Sequence, residues 1–349
     1  MGVNLRNIVP KVAIKLQDLS GATVAIDAYN ALYQFLAIIR QKDGTPLKDF
    51  DGNITSHLSG LFYRTINFLE HNIKPIYVFD GIPSELKFET IKERRKVKEV
   101  AKEKMVIAQE NEDFGEAKKY AQMTSKLDTD MIEESKKLIK YLGIPIIEAS
   151  SEGEAQSAFL VENGDAWACA SQDYDTLLFG GERLLRNFAV SRSKKVKNTT
   201  ITLDIEYISL SKFLDSLNIS REQLIEMGIL IGTDFFPGVK GIGQHKALDL
   251  IKKYGSLENI MKNNVNVGNI EIKLEKDLIE EIKKIFLYPD IKKNYPKIIW
   301  EKIKYEEVEE LLIEQHNFSK QRVQNAIERL KKQNSLKTQV SLDSFFKKN

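Results

Sequence analysis

Two short apolar runs in this chain each stop at an aspartate, and that placement constrains the fold more than any other feature. Residues 22–26 (ATVAI) run into Asp27, and residues 76–79 (IYVF) run into Asp80. Uninterrupted apolar runs of this length suit strands buried on both faces of a sheet. Residues 144–147, just after a glycine, predict a third strand, and residues 166–170 a fourth. Helical patterns at 32–39 and 58–70 lie between the first two. Strands alternating with helices imply an α/β fold with a mainly parallel central sheet flanked by helices. In such a sheet the carboxyl ends of the strands gather at one edge, where ligands bind.

That edge would collect more acids than turns require. Glu152 and Glu154 follow the third strand in SSEGEAQSAFL, at an expected helix start. Asp173 and Asp175 follow the fourth in ASQDYDTLLFG. A lone aspartate after a strand is ordinarily a cap or turn residue. Caps do not call for E-x-E and D-x-D pairs after separate strands. Carboxylates so gathered repel one another, and a fold keeps them together when cations neutralise them. Cys169 is the only cysteine, and the four histidines are scattered, so a sulfur- or imidazole-based zinc site is not expected. Oxygen ligands point to Mg²⁺, with Mn²⁺ able to substitute. Two such ions about 4 Å apart can activate a water and stabilise the leaving oxygen of a phosphodiester.

The charge pattern places basic residues beside this edge. The chain carries 52 basic and 50 acidic residues, a net charge of +2, so bulk charge does not announce a polyanionic partner. Segregation does. From 85 to 140 the sequence is rich in Lys, Arg and Glu at helical spacing, and Lys87, Lys92, Arg94, Arg95, Lys96 and Lys98 come directly after Asp80. The plain reading is a solvated helix with i,i+4 pairs; the sharper one is a helical cover that handles a polyanion. With 42% hydrophobic residues a sizeable core is expected. No apolar stretch approaches the roughly 18 residues of a membrane span. The first 21 residues lack the apolar core of a signal peptide.

A second backbone-binding element is expected at 237–256, PGVKGIGQHKALDLIKKYGS. Gly238, Gly241 and Gly243 open an amphipathic helix whose apolar face is Ala247, Leu248 and Ile251. Glycines allow close backbone approach, and a helix start offers free N–H groups to phosphate. This is a helix-hairpin-helix pattern that grips duplex backbone without reading bases. Lys240, His245, Lys246, Lys252 and Lys253 add charge, and Asp234 lies just before it. The alternative is an ordinary helix–turn–helix corner.

Taken together, VAIDAYNALYQFL, HLSGLFYRT, YVFDG, EGEAQ, SQDYDTLLFG and GTDFFPGVKGIG closely resemble, in order, the blocks of flap endonucleases, the structure-specific 5′-nucleases of replication and repair. The resemblance covers nearly the whole chain. It implies an enzyme that cuts DNA at the base of 5′ flaps by two-metal-ion hydrolysis, with 5′–3′ exonuclease activity. It assigns Asp27, Asp80, Glu152, Glu154, Asp173, Asp175 and Asp234 to the metal site. Lys87 and Arg94 would position the scissile phosphate, and Tyr33 would stack on the nucleotide beside the cut. Arg40 and Arg64 would lie near the unpaired 5′ strand, and Gly2 would place an amino terminus near the site. Gly238, Lys240, Gly241, Gly243 and Lys246 would hold the duplex, with a monovalent cation on the hairpin carbonyls. The 5′ flap would thread under an arch at about 85–125.

The tail, QxxLxxFF at Gln339, Leu342, Phe345 and Phe346, resembles a sliding-clamp binding peptide. Eukaryotic members continue past this peptide with a basic tail, so the resemblance favours an archaeal, cytoplasmic enzyme; a eukaryotic one would be nuclear. A monomer is expected. The expected divisions are a nuclease region at 1–104, the rest of the arch at 105–127, and an internal nuclease region with the hairpin at 128–260. A C-terminal helical region at 261–335 and a flexible tail at 336–349 follow. Competing readings are a sibling nuclease, such as a repair excision endonuclease or 5′ exonuclease, a clamp-bound DNA-junction adaptor without catalysis, and a small acid-cluster ribonuclease.

Overall fold

The computed structural model describes residues 2–41, 43–110, 113–189, 193–196, 199–202, 204–267, 270–272 and 274–346. It gives the backbone alone at 89, 109–110, 114, 117–118, the described parts of 193–202 and 267–271, and 334–346. The expected strands are present as β2 (Thr23–Asp27), β3 (Lys74–Phe79), β4 (Ile146–Glu148) and β5 (Ala168–Ala170). β1 (Val12–Ile14), β6 (Arg183–Arg186) and, after the ribbon β7 (Ser193–Val196) and β8 (Thr199–Thr202), β9 (Ile205–Ser209) complete a seven-stranded sheet of order β1-β9-β6-β5-β2-β3-β4. Pairing is parallel from β6 through β4, and β9 is antiparallel to β6 and β1. The mainly parallel α/β expectation is met.

The strand order sets the position of the functional edge. From β2 the chain moves outward to β3 and β4, then returns to the other side of β2 for β5 and β6. The reversal leaves a crevice at the carboxyl ends of β2 and β5, the usual ligand position in doubly wound sheets. Asp27 closes β2 and Asp80 follows β3, beside that crevice.

Period-two alternation sends successive side chains to opposite layers. Ala25, Ile76, Val78, Cys169 and Leu184 face one core, and Val24, Ile26, Tyr77, Phe79 and Leu185 the other. The second layer holds α1 (Ala28–Ile38), α2 (Ser56–Glu70) and, beyond the arch helices α3 (Lys87–Glu110) and α4 (Phe114–Met123), α5 (Thr129–Tyr141). The first layer holds α6 (Gly153–Glu162), α7 (Asp175–Leu178), α8 (Leu210–Leu217) and α9 (Arg221–Ile231). α10 (Gln244–Tyr254), α11 (Leu257–Lys262) and α12 (Lys276–Leu287) extend it. α13 (Tyr305–Glu309) and α14 (Lys320–Phe346) return to the second layer through Val308, Val323, Ala326 and Ile327. No helix among the described residues is long and apolar enough to cross a membrane.

A polar cluster fastens that returning segment. His316 Nδ1 lies 3.0 Å from Asp49 Oδ2, His316 Nε2 lies 3.2 Å from Glu134 Oε1, and His57 Nε2 stands 3.5 Å from Glu134 Oε2. The adjoining His316 and His57 rings hold the Glu134 carboxyl down at about 2, and the Glu134 carboxylate raises His316 above its ordinary 6.5. A depressed carboxylate contributes stability above its unfolded value and loses it as pH falls; a raised imidazole contributes below its unfolded value and loses it as pH rises. The cluster therefore stabilises fully between about pH 4.5 and 6.5. Thermal melts of His316→Gln against the unmodified protein should show their widest gap in that window, narrowing as pH rises; a gap that widens towards pH 9 would reject the charged pair.

Candidate active site

Each acid reaches the edge through a local feature. Asp27 ends β2 and caps α1, accepting the Asn30 N–H at 2.9 Å, so the cap reading and the site reading coincide. Asp80 Oδ1 accepts the Gly153 N–H at 2.7 Å, which seats a carboxylate on the N-terminus of α6. Glu152 is the N-cap of that helix and Glu154 lies in its first turn. Asp175 begins α7, and Asp234 follows α9.

The acids form one electrostatic unit. Burial, then repulsion from Asp80, pushes the Asp27 carboxyl well above the usual range. Burial, then Asp175, Asp173 and Asp27, does the same to Glu154. Burial, then Asp234 and Asp173, lifts Asp175 to about 7. Burial also raises Asp80 and Glu152. Charges so crowded and desolvated are costly without cations.

Two cations come from the arch. Lys87 Nζ bonds Glu152 and stands 3.7 Å from Asp234 Oδ2, while Arg94 bonds Asp234 Oδ1. Burial alone would lower the Lys87 ammonium, but Glu152, Asp234 and Asp80 hold it above its ordinary value. Lys87 and Arg94 are seven residues apart, two helical turns, so one face of α3 points at the acids. Tyr33 on α1 is partly exposed, with the Lys98 ammonium 4.9 Å from its ring centre.

The donor set, carboxylate oxygens in a buried crevice, fits hard divalent ions. As the side chains stand, no three acidic, histidine or cysteine groups among the described residues converge on one ion position. Lys87 and Arg94 take oxygens of Glu152 and Asp234 instead.

Several positioning residues were not singled out from sequence. Asn30 Nδ2 donates to Asp173 Oδ2 at 3.1 Å, and Ser171 Oγ donates to Glu154 Oε1 at 2.9 Å. Thr176 Oγ1 adds a bond to the same Glu154 oxygen. Arg186 on β6 holds the 171–175 loop, donating to the Gln172 carbonyl at 3.0 Å with its guanidinium 4.1 Å from the Tyr174 ring centre. A Cβ on Gly153 would lie 2.6 Å from Asp80 Oδ1. The signal was in the central glycine of E-G-E, where a strand-end carboxylate must touch a helix N-terminus.

Gly2 lies against Asp175, where a Cβ would come 2.5 Å from Oδ2, and the Val3 N–H donates to Asp175 Oδ1 at 2.6 Å. Arg40 instead bonds the Gly44 carbonyl and Ser125 Oγ, at 2.8 and 2.9 Å. Arg64 donates to the Phe188 carbonyl, and burial pulls its guanidinium down to about 10. At the hairpin, Gly238 and Gly241 have φ of 82° and 81°, which favour glycine; Gly243 has φ −102° and open space around it. Lys246 Nζ donates to the Gly241 carbonyl at 3.1 Å, and Lys240 is exposed. α14 carries the backbone through Phe346, but the side chains of Gln339, Leu342, Phe345 and Phe346 lie outside the described residues.

Comparison with known proteins identifies this arrangement. Residues 1–101 match the XPG N-terminal domain and residues 143–234 the XPG I-region. Flap endonuclease 1 of Methanobrevibacter smithii is 50% identical over 346 residues, covering 99% of this chain and 100% of that protein. Flap endonuclease 1 of Pyrococcus furiosus is 46% identical over 351 residues, covering 100% of both. The structure of flap endonuclease-1 from Methanococcus jannaschii superimposes with a TM-score of 0.73 at 40% identity, covering 96% of this chain and 100% of that one. The catalytic core of Rad2 in complex with DNA substrate, at 23% identity and a TM-score of 0.70, shares the fold over 92% of this chain and 96% of that one. The chain belongs to the flap endonuclease family of DNA-cleaving hydrolases.

Proposed function

We propose that this protein cuts DNA at the base of 5′ flaps in replication and repair, with 5′–3′ exonuclease activity, using Mg²⁺ held by Asp27, Asp80, Glu152, Glu154, Asp173, Asp175 and Asp234. The observation that carries the reading is the coupled carboxylate cluster at the β2/β5 crevice, met from above by Lys87 and Arg94 of the arch. Two bound Mg²⁺, or Mn²⁺, would supply Lewis-acid charge and lower the pKa of a nucleophilic water.

The chain's own groups do the rest. Asn30, Ser171, Thr176 and the α6 N-terminus orient Asp173, Glu154 and Asp80, while Glu152 and Asp234 must give up Lys87 and Arg94 to hold ions. Lys87 and Arg94 can turn their charge from Glu152 and Asp234 to the scissile phosphate. Tyr33 offers a ring face to the adjoining base. The hairpin at 238–243 holds intact duplex by its backbone, with a monovalent cation on its carbonyls, and Arg40 and Arg64 flank the unpaired strand. Cleavage of a double-flap duplex, a nicked duplex and a bubble tests substrate class. Preference for the double flap is expected; preference for the bubble would favour the sibling excision nuclease.

Gln339, Leu342, Phe345 and Phe346 are proposed to dock on a sliding clamp. Deleting 339–349 should leave basal cleavage intact and remove clamp stimulation; undiminished stimulation of the truncated protein would refute the assignment.

A further inference from the structure

We infer that residues 2–9 form a strap that holds the duplex-gripping hairpin in register with the acid cluster, and that Gln244 is the positioning residue at its hairpin end. This rests on the flap-cleavage reading, which makes the hairpin the duplex grip and Asp175 an ion ligand. Backbone N–H groups pin the strap at both ends. The Val3 N–H donates to Asp175 Oδ1 at 2.6 Å, and the Asn7 N–H donates to Gln244 Oε1 at 3.1 Å, across 237 positions of chain. Between them burial alternates: Val3 and Leu5 are buried, Asn4 and Arg6 exposed. The turn that follows is closed by the Ile8 and Val9 N–H groups on the Leu5 carbonyl, both at 3.1 Å, and Val9 is buried.

Gln244 is the first residue of α10, directly after the N-cap Gly243. A glutamine at a surface helix start normally faces water. Here only 8% of it is exposed, and its side-chain oxygen is committed to the strap. Four residues of chain separate the two pinning bonds, a reach of at most about 14 Å. So short a tether has little slack, and a shift of α10 is carried to Val3 and Asp175. The hairpin is fixed to the acids by a second route. The Val239 N–H donates to the Leu230 carbonyl at 2.9 Å and the Thr233 N–H to the Phe236 carbonyl at 2.8 Å, on the loop that carries Asp234. That route is built from backbone. The route to Asp175 passes through the Gln244 side chain, so one substitution cuts it.

The test compares Gln244→Met, which keeps the side-chain length without the accepting oxygen, with Gln244→Glu, which keeps both. Backbone-amide hydrogen exchange, followed by NMR in EDTA, reads the strap without ions or DNA. In Gln244→Met the Asn7 and Val3 amides should exchange roughly 10-fold faster or more, as a locally opened segment does; Gln244→Glu should hold the parental rates. On a 5′-flap duplex in Mg²⁺, Gln244→Met should lose roughly 5- to 50-fold in kcat, short of the roughly 10²-fold of a full ångström of misplacement. Its KM should stay parental, because the hairpin glycines and lysines remain. Gln244→Glu should restore kcat, its added charge acting on KM alone. A residue that merely fastened the fold would lower the melting temperature and leave this split unmoved. Unchanged Val3 exchange in Gln244→Met, or a raised KM at parental kcat, would overturn the strap. Failure of the unmodified protein to cut the flap duplex would instead remove the flap reading, and the exchange rates would still judge the strap.

Discussion

Asp27→Asn should abolish cleavage and, in the metal-free protein, raise stability. Asp27 is buried beside Asp80 and Asp173, and burial and those charges push its carboxyl well above the ordinary 3.8. A carboxyl raised on folding makes stability fall as pH climbs above its unfolded value, because the folded state holds the proton longer. Asparagine removes that charge and keeps an oxygen to accept the Asn30 N–H. At pH 8 in EDTA the variant should gain on the order of 1–3 kcal/mol, the scale of relieving a buried unpaired charge. Mg²⁺ should raise the melting temperature of the unmodified protein more than that of the variant, since ligand binding stabilises the folded state. Cleavage should fall by roughly 10³-fold or more, because several kcal/mol of transition-state charge stabilisation depend on the ion site. Melting curves with and without Mg²⁺ check this; a variant less stable than the parent in EDTA would show that Asp27 serves as a cap alone.

Gly153→Ala should be nearly as damaging, although the residue has no side chain to contribute. Its added methyl would stand 2.6 Å from Asp80 Oδ1, closer than real Cβ contacts allow. Either Asp80 leaves the α6 N-terminus, breaking its 2.7 Å bond to the Gly153 N–H, or the helix start shifts with Glu152 and Glu154 on it. A displacement of about 1 Å at reacting groups can cost on the order of 10²-fold in rate. The cost should appear in kcat under saturating DNA, with flap-duplex KM little changed, because the arch and hairpin are untouched. A Gly153→Ala enzyme with the parental kcat would mean that Asp80 need not sit on that helix.

The sequence made the central strands legible because four apolar runs, two of them ending in acid, leave few alternatives. β2 to β5 and the flanking helices lie where periodicity places them, with boundaries moved by up to four residues. Glu152/Glu154 and Asp173/Asp175 were legible as pairs after strands, Asp27 and Asp80 as strand ends, and Asp234 by its place before the hairpin; burial raises the carboxyls of Asp27, Asp80, Glu152, Glu154 and Asp175. β1, β6 and β9 were not foreseen. β6 reads RLLR, with a charge at each end, and β1 has its first two residues exposed, so neither shows a buried run. β9 lies between the β7–β8 ribbon and α8, and its pairing with β6 and β1 is long-range. The supporting polar groups were illegible for another reason. Asn30, Ser171 and Arg186 act across 14 to 143 residues of chain, and no local pattern reports such partners. At the hairpin, the G-x-x-G-x-G spacing identified the turn, but only Gly238 and Gly241 need left-handed backbone.

The most direct test of a carboxylate-held ion site that hydrolyses flap DNA is single-turnover cleavage of a 5′-flap duplex, with Mg²⁺ or with EDTA, by the unmodified protein and by Asp173→Ala. Expected is cutting at the flap base in Mg²⁺ alone, and none by Asp173→Ala at an unchanged fold by circular dichroism. Cutting that persists in EDTA, or full turnover by Asp173→Ala, would contradict the site.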